Sequence, residues 1–350
     1  MRTLKNFDFK EKRVLVRCDF NVPLDDKGNI LDDFRIKETI PTIEYLMKEG
    51  AKIILMTHIG RPGGKIVESL RVTPVRDRLM EYLNSSSSAS RIYKTSDCIG
   101  EEIEKRICEM QPGEILLLEN LKFHIGEEKN DDRFAKELSK LGDIYINDAF
   151  GTCHQPYASI IGVPKYLPSG AGFLLEKEIK ILTILRENPR KPEIAIIGGV
   201  KVETKAKFID KISENADFVL IGGLIEKEIR EKKVRFKNPE KIIGPVDPAD
   251  ALDIGPKTIA RFKEKIALAK TIFWSGPLGK IEEKPFQKGS KAVARAIIES
   301  GAVSVVGGGE TVEFINKMGL TEKFTHVSTG GGAMFDFVVN GKSVGIAALK

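Results

Sequence analysis

The stretch Glu193–Lys205, EIAIIGGVKVETK, decides the fold of this chain. Ile194, Ala195, Ile196 and Ile197 run without a polar break, the mark of a strand covered on both faces. Gly198 and Gly199 follow at once, and a polar, helix-compatible segment begins near Val202. A strand, a glycine turn and a helix start let a phosphate approach backbone N–H groups, because no Cβ stands in the way. Lys201 and Lys205 are four residues apart and point the same way on a helical turn. Two ammonium groups beside a glycine turn suit a polyphosphate. Taken alone, the same residues also read as an ordinary strand-to-helix turn with solvated lysines.

Outward from this stretch the same alternation runs through the chain. Before it, strands are expected at Arg13–Arg17, Lys52–Met56, Ile115–Leu118 and Asp143–Ile146, with helices at Ile36–Glu49 and Ser96–Glu109. Beyond Glu193–Ile197, strands are expected at Phe218–Ile221, Lys241–Ile243, Lys270–Trp274, Val303–Val306 and His326–Ser328. Strands alternating with helices imply right-handed crossovers and mostly parallel sheets, an α/β fold class. Ligands then belong at the carboxyl ends of the strands. Polar and glycine clusters stand there: CDFN, THIGRP, ENLKFH, NDAFGT, GGVK, SGPLG, GGGE and STGGG. Pro164, Pro168 and Gly170 punctuate the chain before a long helix at Leu174–Asn188, which puts the boundary between two halves at Pro164–Pro192. Ser85–Ser90 reads as an exposed loop.

Composition narrows the class. At 350 residues, two domains are favoured over one. Hydrophobic content of 41% and charged content of 30% are those of an ordinary globular protein. The net charge of +6 comes from 56 basic and 50 acidic residues, a mixed surface that does not by itself argue for nucleic acid, anionic small molecules being as good a reading. The start, MRTLKNFDFKEKR, lacks a signal-type apolar segment, and no run approaches the length of a membrane span. Cys18, Cys98, Cys108 and Cys153 are scattered without a C-x-x-C pair, so a reducing, cytoplasmic setting is expected.

The two halves gather different chemistry. In the first, Arg17, Asp19 and Asn21 mark the end of the first strand and Arg35 opens the first helix. His58 and Arg61 follow the second strand, and Lys122 and His124 the third. Guanidinium forks at several strand ends match a phosphorylated or carboxylated molecule. In the second half, Gly198–Gly199, Gly276, Gly279, Gly307–Gly309 and Gly330–Gly332 form repeated turns at helix starts, an anion site built from backbone donors. A carboxylate beside them, Asp253 or Glu310, suits Mg²⁺ together with phosphate oxygens. Neither a P-loop nor a G-x-G-x-x-G dinucleotide fingerprint is present, so the nucleotide site is of another design.

In this order the blocks RVLVRCDFNVPL, DFRIKETIPTI, THIGRP, LLLENLKFH, NDAFGTCH, AGFLLEKEI, IIGGVKVETK, LDIGPKTI, FWSGPLG, GGGETV and STGGGA resemble the phosphoglycerate kinases over nearly the whole chain. The resemblance implies two Rossmann-like three-layer domains facing across a hinged cleft: 1–170 for 3-phosphoglycerate, a linking helix at 171–190, and 191–339 for nucleotide. A tail at 340–350 would return to the first domain. It implies reversible, Mg²⁺-dependent phosphoryl transfer between 1,3-bisphosphoglycerate and ADP by a cytoplasmic monomer, with no nucleic acid or membrane partner. By matching positions, Asp19, Asn21, Arg35, His58, Arg61, Lys122 and Gln155 would form the substrate site. Gly199, Lys201, Lys205, Gly222, Gly276, Pro277, Gly307, Gly308, Gly309, Glu310 and Thr311 would hold the nucleotide, Glu282 its ribose, and Glu310 also the metal. Arg35 and Lys201 would stabilise the transferring group, assisted by backbone N–H groups near Gly308 and Gly331.

Departures from the family pattern sharpen the alternatives. Lys122 and Gln155 stand where arginines are usual, Ser275 where asparagine is usual, and Glu310 where aspartate is usual. The stretch Gly223–Asp253 is shorter than the family's. These changes keep open a nucleotide- or phosphometabolite-binding module with weak turnover, or a kinase for a related acyl phosphate.

Overall fold

The apolar runs become parallel strands, each followed by a segment that returns over the sheet. The computed structural model describes residues 1–84, 92–200, 202–247 and 252–349. The chain divides into two units, Met1–Ile179 with Lys342–Lys350, and Lys180–Gly341.

The first unit contains β1 (Arg13–Cys18), α1 (Phe34–Lys48), β2 (Lys52–Met56), α2 (Thr73–Asn84), β3 (Ile92–Lys94) and α3 (Glu101–Glu109). There follow β4 (Ile115–Leu117), α4 (Ile125–Glu128), α5 (Asp132–Ser139), β5 (Ile144–Asp148) and β6 (Ser169–Ala171). The strands are all parallel, in the order β3-β4-β2-β1-β5-β6. Alternate residues serve opposite faces. Val14, Val16, Ile53, Leu55, Ile144 and Ile146 form one core with Ile36, Ile43 and Leu46 of α1 and Val75, Leu79 and Leu83 of α2. Leu15, Ile54 and Leu116, which point the other way, are buried as well. Both faces are covered, which is why these runs carry no polar break; each such side chain contributes about 1.5–3 kcal/mol on burial.

The division between units falls inside α6 (Phe173–Glu187). The second unit continues with β7 (Glu193–Ile197), α7 (Val202–Asn215), β8 (Phe218–Ile221), α8 (Gly223–Glu231), β9 (Ile242–Ile243) and α9 (Pro256–Leu268). Then come β10 (Thr271–Ser275), α10 (Lys288–Ser300), β11 (Val303–Gly307), α11 (Gly309–Lys317), β12 (His326–Val327) and α12 (Gly331–Asn340). This sheet is also parallel, ordered β12-β11-β10-β7-β8-β9. Phe208 of α7 packs on Phe273 and Phe335, with ring centroids 5.2 and 4.4 Å away. Residues 342–350, including α13 (Val344–Ala347), belong to the first unit, where Gly345 N donates to Cys153 O at 2.8 Å.

Two short strands depart from the expectation. β3 and β6 have three residues each, too few for a period-two pattern, and β6 (SGA) lies between Pro168 and Gly172. The helix expected from Ser96 begins only at Glu101, because Gly100 takes a φ of +120° and the Asp97 carboxylate accepts from Cys98 N at 2.7 Å, forming a turn first. The four cysteines are free, with only Cys108 exposed. Among the described residues no helix is long and apolar enough to cross a membrane.

Candidate active site

In the second unit the strand order reverses between β7 and β10, and the turns following these strands are clasped together. Gly198 N donates to Ser275 O at 2.9 Å and Gly199 N to Pro277 O at 2.7 Å. The approach requires glycine: a Cβ on Gly198 would lie 2.6 Å from the Gly276 carbonyl oxygen and closer still to that of Pro277. Gly276, at φ +88°, would in turn strike the Gly198 carbonyl. Its N–H donates to Thr311 Oγ1 at 2.8 Å, which fastens the β10 turn to α11. A Cβ on Gly331 would come within 3.2 Å of Gly308 Cα, so the starts of α11 and α12 meet at the same point. Gly222 caps α8 next door, where a Cβ would approach the Gly198 and Leu278 backbones at 3.3 and 3.2 Å. Such a reversal of strand order at the carboxyl ends is where open α/β sheets take ligands, and helix starts offer unpaired N–H groups to an anion.

The side chains around this clasp are charged. Lys205 Nζ, from the first turns of α7, donates to Gly198 O. Burial pushes its pKa down, and the carboxylates of Glu310 and Glu228 oppose that shift, so Glu310 is close enough to be felt. Lys201 lies outside the described residues. Glu310 is exposed in the first turn of α11. It shares an open groove of about 350 Å³ with Glu282, Gln287, Lys291, Phe314 and Met318, a size within the range of small-molecule pockets. Asp253, the other carboxylate considered for a metal, is already committed: it accepts from Gly289 N and Ile254 N, both at 2.9 Å. Gly307 is close-packed against Met334, while Gly309 is open.

In the first unit, the carboxyl ends of β1, β2 and β4 gather most of the expected residues. Arg35 bonds Asp19 Oδ2 at 3.1 Å and the Asn21 carbonyl at 2.9 Å, while Asn21 Oδ1 accepts from Gly60 N at 2.9 Å. Asp19 is buried, and Arg35 keeps about a quarter of its side chain exposed. His58 is buried, with its Nδ1 3.2 Å from Arg17 Nη2. Burial, reinforced by Arg17, Lys122 and Arg35, drives its pKa well below 6.5, so the ring is neutral. Arg61 is exposed.

Three residues behave differently from their reading in the sequence. Arg17 is wholly buried and consumed by structure: Nε donates to Ser159 Oγ at 2.7 Å, Nη1 to Cys18 O, and Glu127 lies at 3.7 Å. Lys122 is buried rather than displayed, its Nζ 3.1 Å from both Tyr157 OH and Glu128 Oε1. Gln155 Nε2 is 2.6 Å from His154 Nε2, a local pairing. Tyr157 is the residue that the sequence did not reveal. Its ring lies 4.6 Å from Lys122 Nζ and 6.4 Å from the His58 ring, so it touches two of the expected ligands. Its only signal was its place two positions beyond Gln155.

A backbone cradle for a polyphosphate in one unit and a cation-rich strand edge for a second anion in the other are the equipment of a two-substrate phosphotransferase. The family model described as phosphoglycerate kinase matches residues 4–234 and 225–342. The chain is 42% identical to the phosphoglycerate kinase of Dictyoglomus turgidum and 39% to that of Pelotomaculum thermopropionicum, each over 99% of this chain and 98% of the relative. Among solved structures, phosphoglycerate kinase from Pyrococcus horikoshii OT3 superposes with a TM-score of 0.88 at 31% identity, covering 100% of this chain and 98% of that one. The enzyme from Coxiella burnetii gives 0.81 at 30%, covering 99% and 98%. The chain belongs to the phosphoglycerate kinase family, phosphotransferases whose acceptor is a carboxyl group. The alignment to each of the two relatives spans 393 positions against 350 residues here, so these relatives carry positions that this chain lacks. The two matched segments meet at 225–234, inside the stretch read as shortened.

Proposed function

We propose that this chain transfers a phosphoryl group reversibly between 1,3-bisphosphoglycerate and ADP, forming 3-phosphoglycerate and ATP. The observation that carries the reading is the clasp of Gly198, Gly199, Gly276 and Pro277 against the starts of α11 and α12. Its own N–H groups hold the turns together, and the first turns of α11 and α12 that it fixes in place offer the backbone donors a bound polyphosphate requires. Lys205, Thr311, Gly222 and Gly307–Gly309 accompany the nucleotide phosphates, and Glu282 takes the ribose.

The substrate carboxylate is already ionised, so the acceptor needs no general base. Positioning and charge neutralisation are the whole task. Asp19 and the Asn21 carbonyl hold Arg35 by its Nη1, leaving the exposed part of the guanidinium for the transferring group, which Lys201 meets from the nucleotide side. N–H groups near Gly308 and Gly331 add fixed dipoles at the developing charge. Neutral His58, Arg61 and the Lys122–Tyr157 pair receive the far phosphate, with Gln155 at its margin. Glu310 is the carboxylate suited to Mg²⁺, being exposed beside the cradle, whereas Asp253 is occupied by backbone donors. Bound Mg²⁺ would supply charge neutralisation at the phosphate oxygens. The two substrates must be brought together with water excluded before transfer.

The test is a coupled assay of 3-phosphoglycerate with Mg·ATP, reading 1,3-bisphosphoglycerate through its NADH-dependent reduction. Turnover that collapses in Lys201→Ala, chiefly through kcat, is the expected result. Binding of ADP and 3-phosphoglycerate without turnover would replace the enzyme by a binding module. Turnover with a different carboxylic acid only would replace the substrate.

A further inference from the structure

Outside the groups assigned to the reaction, three metal-ligating side chains of different chemistry converge in the first unit. Asp97 and Cys98 lie in the turn after β3, and His124 precedes α4. Their donor atoms all lie within 4.8 Å of one another. The turn is held from both sides: Thr95 Oγ1 and Glu119 N both donate to the Asp97 carbonyl. The carboxylate is aimed by Cys98 N at 2.7 Å and faces His124 Nε2 at 2.6 Å. The imidazole is fixed in plane by stacking on Phe134, centroids 5.3 Å apart and planes 24° apart.

We propose that Asp97, Cys98 and His124 form a binding site for a divalent transition ion of the zinc type, with a fourth position left to water. Thiolate, imidazole and carboxylate together are the donor set that such an ion prefers, and three protein ligands with one open position is a recurrent tetrahedral arrangement. The site is graded in depth. Cys98 is wholly buried, while Asp97 and His124 keep 51% and 31% of their side chains exposed, so the ion enters from the carboxylate and imidazole side.

Cysteine ligates such an ion as the thiolate, so binding would put the ion in place of the Cys98 thiol proton and release that proton to solvent. With metal–ligand bonds of about 2.0–2.1 Å, a tetrahedral edge is roughly 3.3 Å. The Asp97–His124 contact of 2.6 Å opens to that distance, a small movement for two half-exposed side chains.

The experiment titrates the nucleotide-free protein with Zn²⁺ by calorimetry and with Co²⁺ by absorption. The expected result is one tight equivalent, proton release, and a near-ultraviolet thiolate-to-cobalt charge-transfer band. Cys98→Ser and His124→Asn should abolish the band and lower affinity at least tenfold, whereas Glu310→Ala and Cys108→Ser should leave both unchanged. Should Cys98→Ser fail to fold, His124→Asn decides, because that side chain is partly solvated. Absence of the band in the parent protein, or its persistence in His124→Asn, overturns the assignment and leaves Asp97–His124 an ordinary ion pair over a core cysteine.

Discussion

Gly198→Ala tests the clasp between the β7 and β10 turns. The new methyl would lie 2.6 Å from the Gly276 oxygen and closer still to the Pro277 oxygen, whereas real Cβ atoms do not come under 3.0 Å. The obstacle is backbone on both counts, so the turns must part by at least 0.4 Å (3.0 minus 2.6) at Gly276 and by more at Pro277. That stretches the Gly198–Ser275 and Gly199–Pro277 hydrogen bonds, now 2.9 and 2.7 Å. Two such bonds are worth about 1–3 kcal/mol together. The larger consequence is for turnover, because a misplacement approaching 1 Å costs about 100-fold in rate. We expect kcat/KM for ATP to fall by about two orders of magnitude in the coupled assay. Gly301→Ala serves as the reference. Gly301 closes α10 at φ +65° with no atom within 4 Å of its missing Cβ, so its substitution costs only backbone strain of about 1–2 kcal/mol. It should lower thermal stability and leave kcat alone. A Gly198→Ala enzyme that turns over within twofold of the parent would refute the claim that the clasp positions the nucleotide.

Other substitutions probe the first unit. Arg35→Lys keeps the charge but loses the planar guanidinium whose Nη1 engages both Asp19 and Asn21 while its other nitrogens stay available, and kcat/KM should fall about 10- to 100-fold; an unchanged value would show that Arg35 is structural. Tyr157→Phe removes the hydroxyl 3.1 Å from Lys122 Nζ but keeps the ring face, so KM for 3-phosphoglycerate should rise up to about tenfold with kcat within twofold. A fall in kcat alone would place Tyr157 elsewhere in the mechanism. His58, whose folded pKa lies below the unfolded value, leaves stability intact above about pH 6.5 and lowers it by about 1.4 kcal/mol per pH unit below that, until its folded pKa is reached. Asp148 and Glu193, with carboxyls raised to about 7, act with the opposite sign as pH falls from 7 toward their unfolded values. The comparison is therefore urea unfolding of the parent against His58→Gln at pH 7.5 and 5.5, and equal pH slopes would contradict a neutral buried imidazole.

The main frame was legible in the sequence because a strand buried on both faces must be continuously apolar, and Ile194–Ile197 and Val14–Val16 are. β3 and β6 were not, since three residues carry no period and β6 contains a glycine. The glycine turns were legible for a related reason. Close backbone approach excludes every other residue, so Gly198 and Gly276 announce themselves. Side-chain partnerships across distance leave no such trace. Tyr157 meets Lys122 from 35 positions away, and Arg17 is taken up by Glu127 and Ser159, so one cation gained a neighbour and another is held in the structure behind His58.

The return of residues 342–350 to the first unit has a consequence for how the protein is made. Ser343 Oγ and Gly345 N both donate to the Cys153 carbonyl, and Gly345 sits against Ile160 so tightly that a Cβ would come within 2.7 Å of its methyl. These partners leave the ribosome far apart in time. From 179 to 342 there are 163 intervening steps of synthesis, roughly 8–30 s at about 5–20 residues per second. Throughout that interval the nascent first unit lacks the segment that packs on Cys153 and Ile160, and the second unit, contiguous from 180 to 341, becomes whole at its end, before that segment follows. The later-made half is therefore the first that can close completely, and a ribosome that stalls before residue 342 leaves a product whose older half is still open to proteases and chaperones.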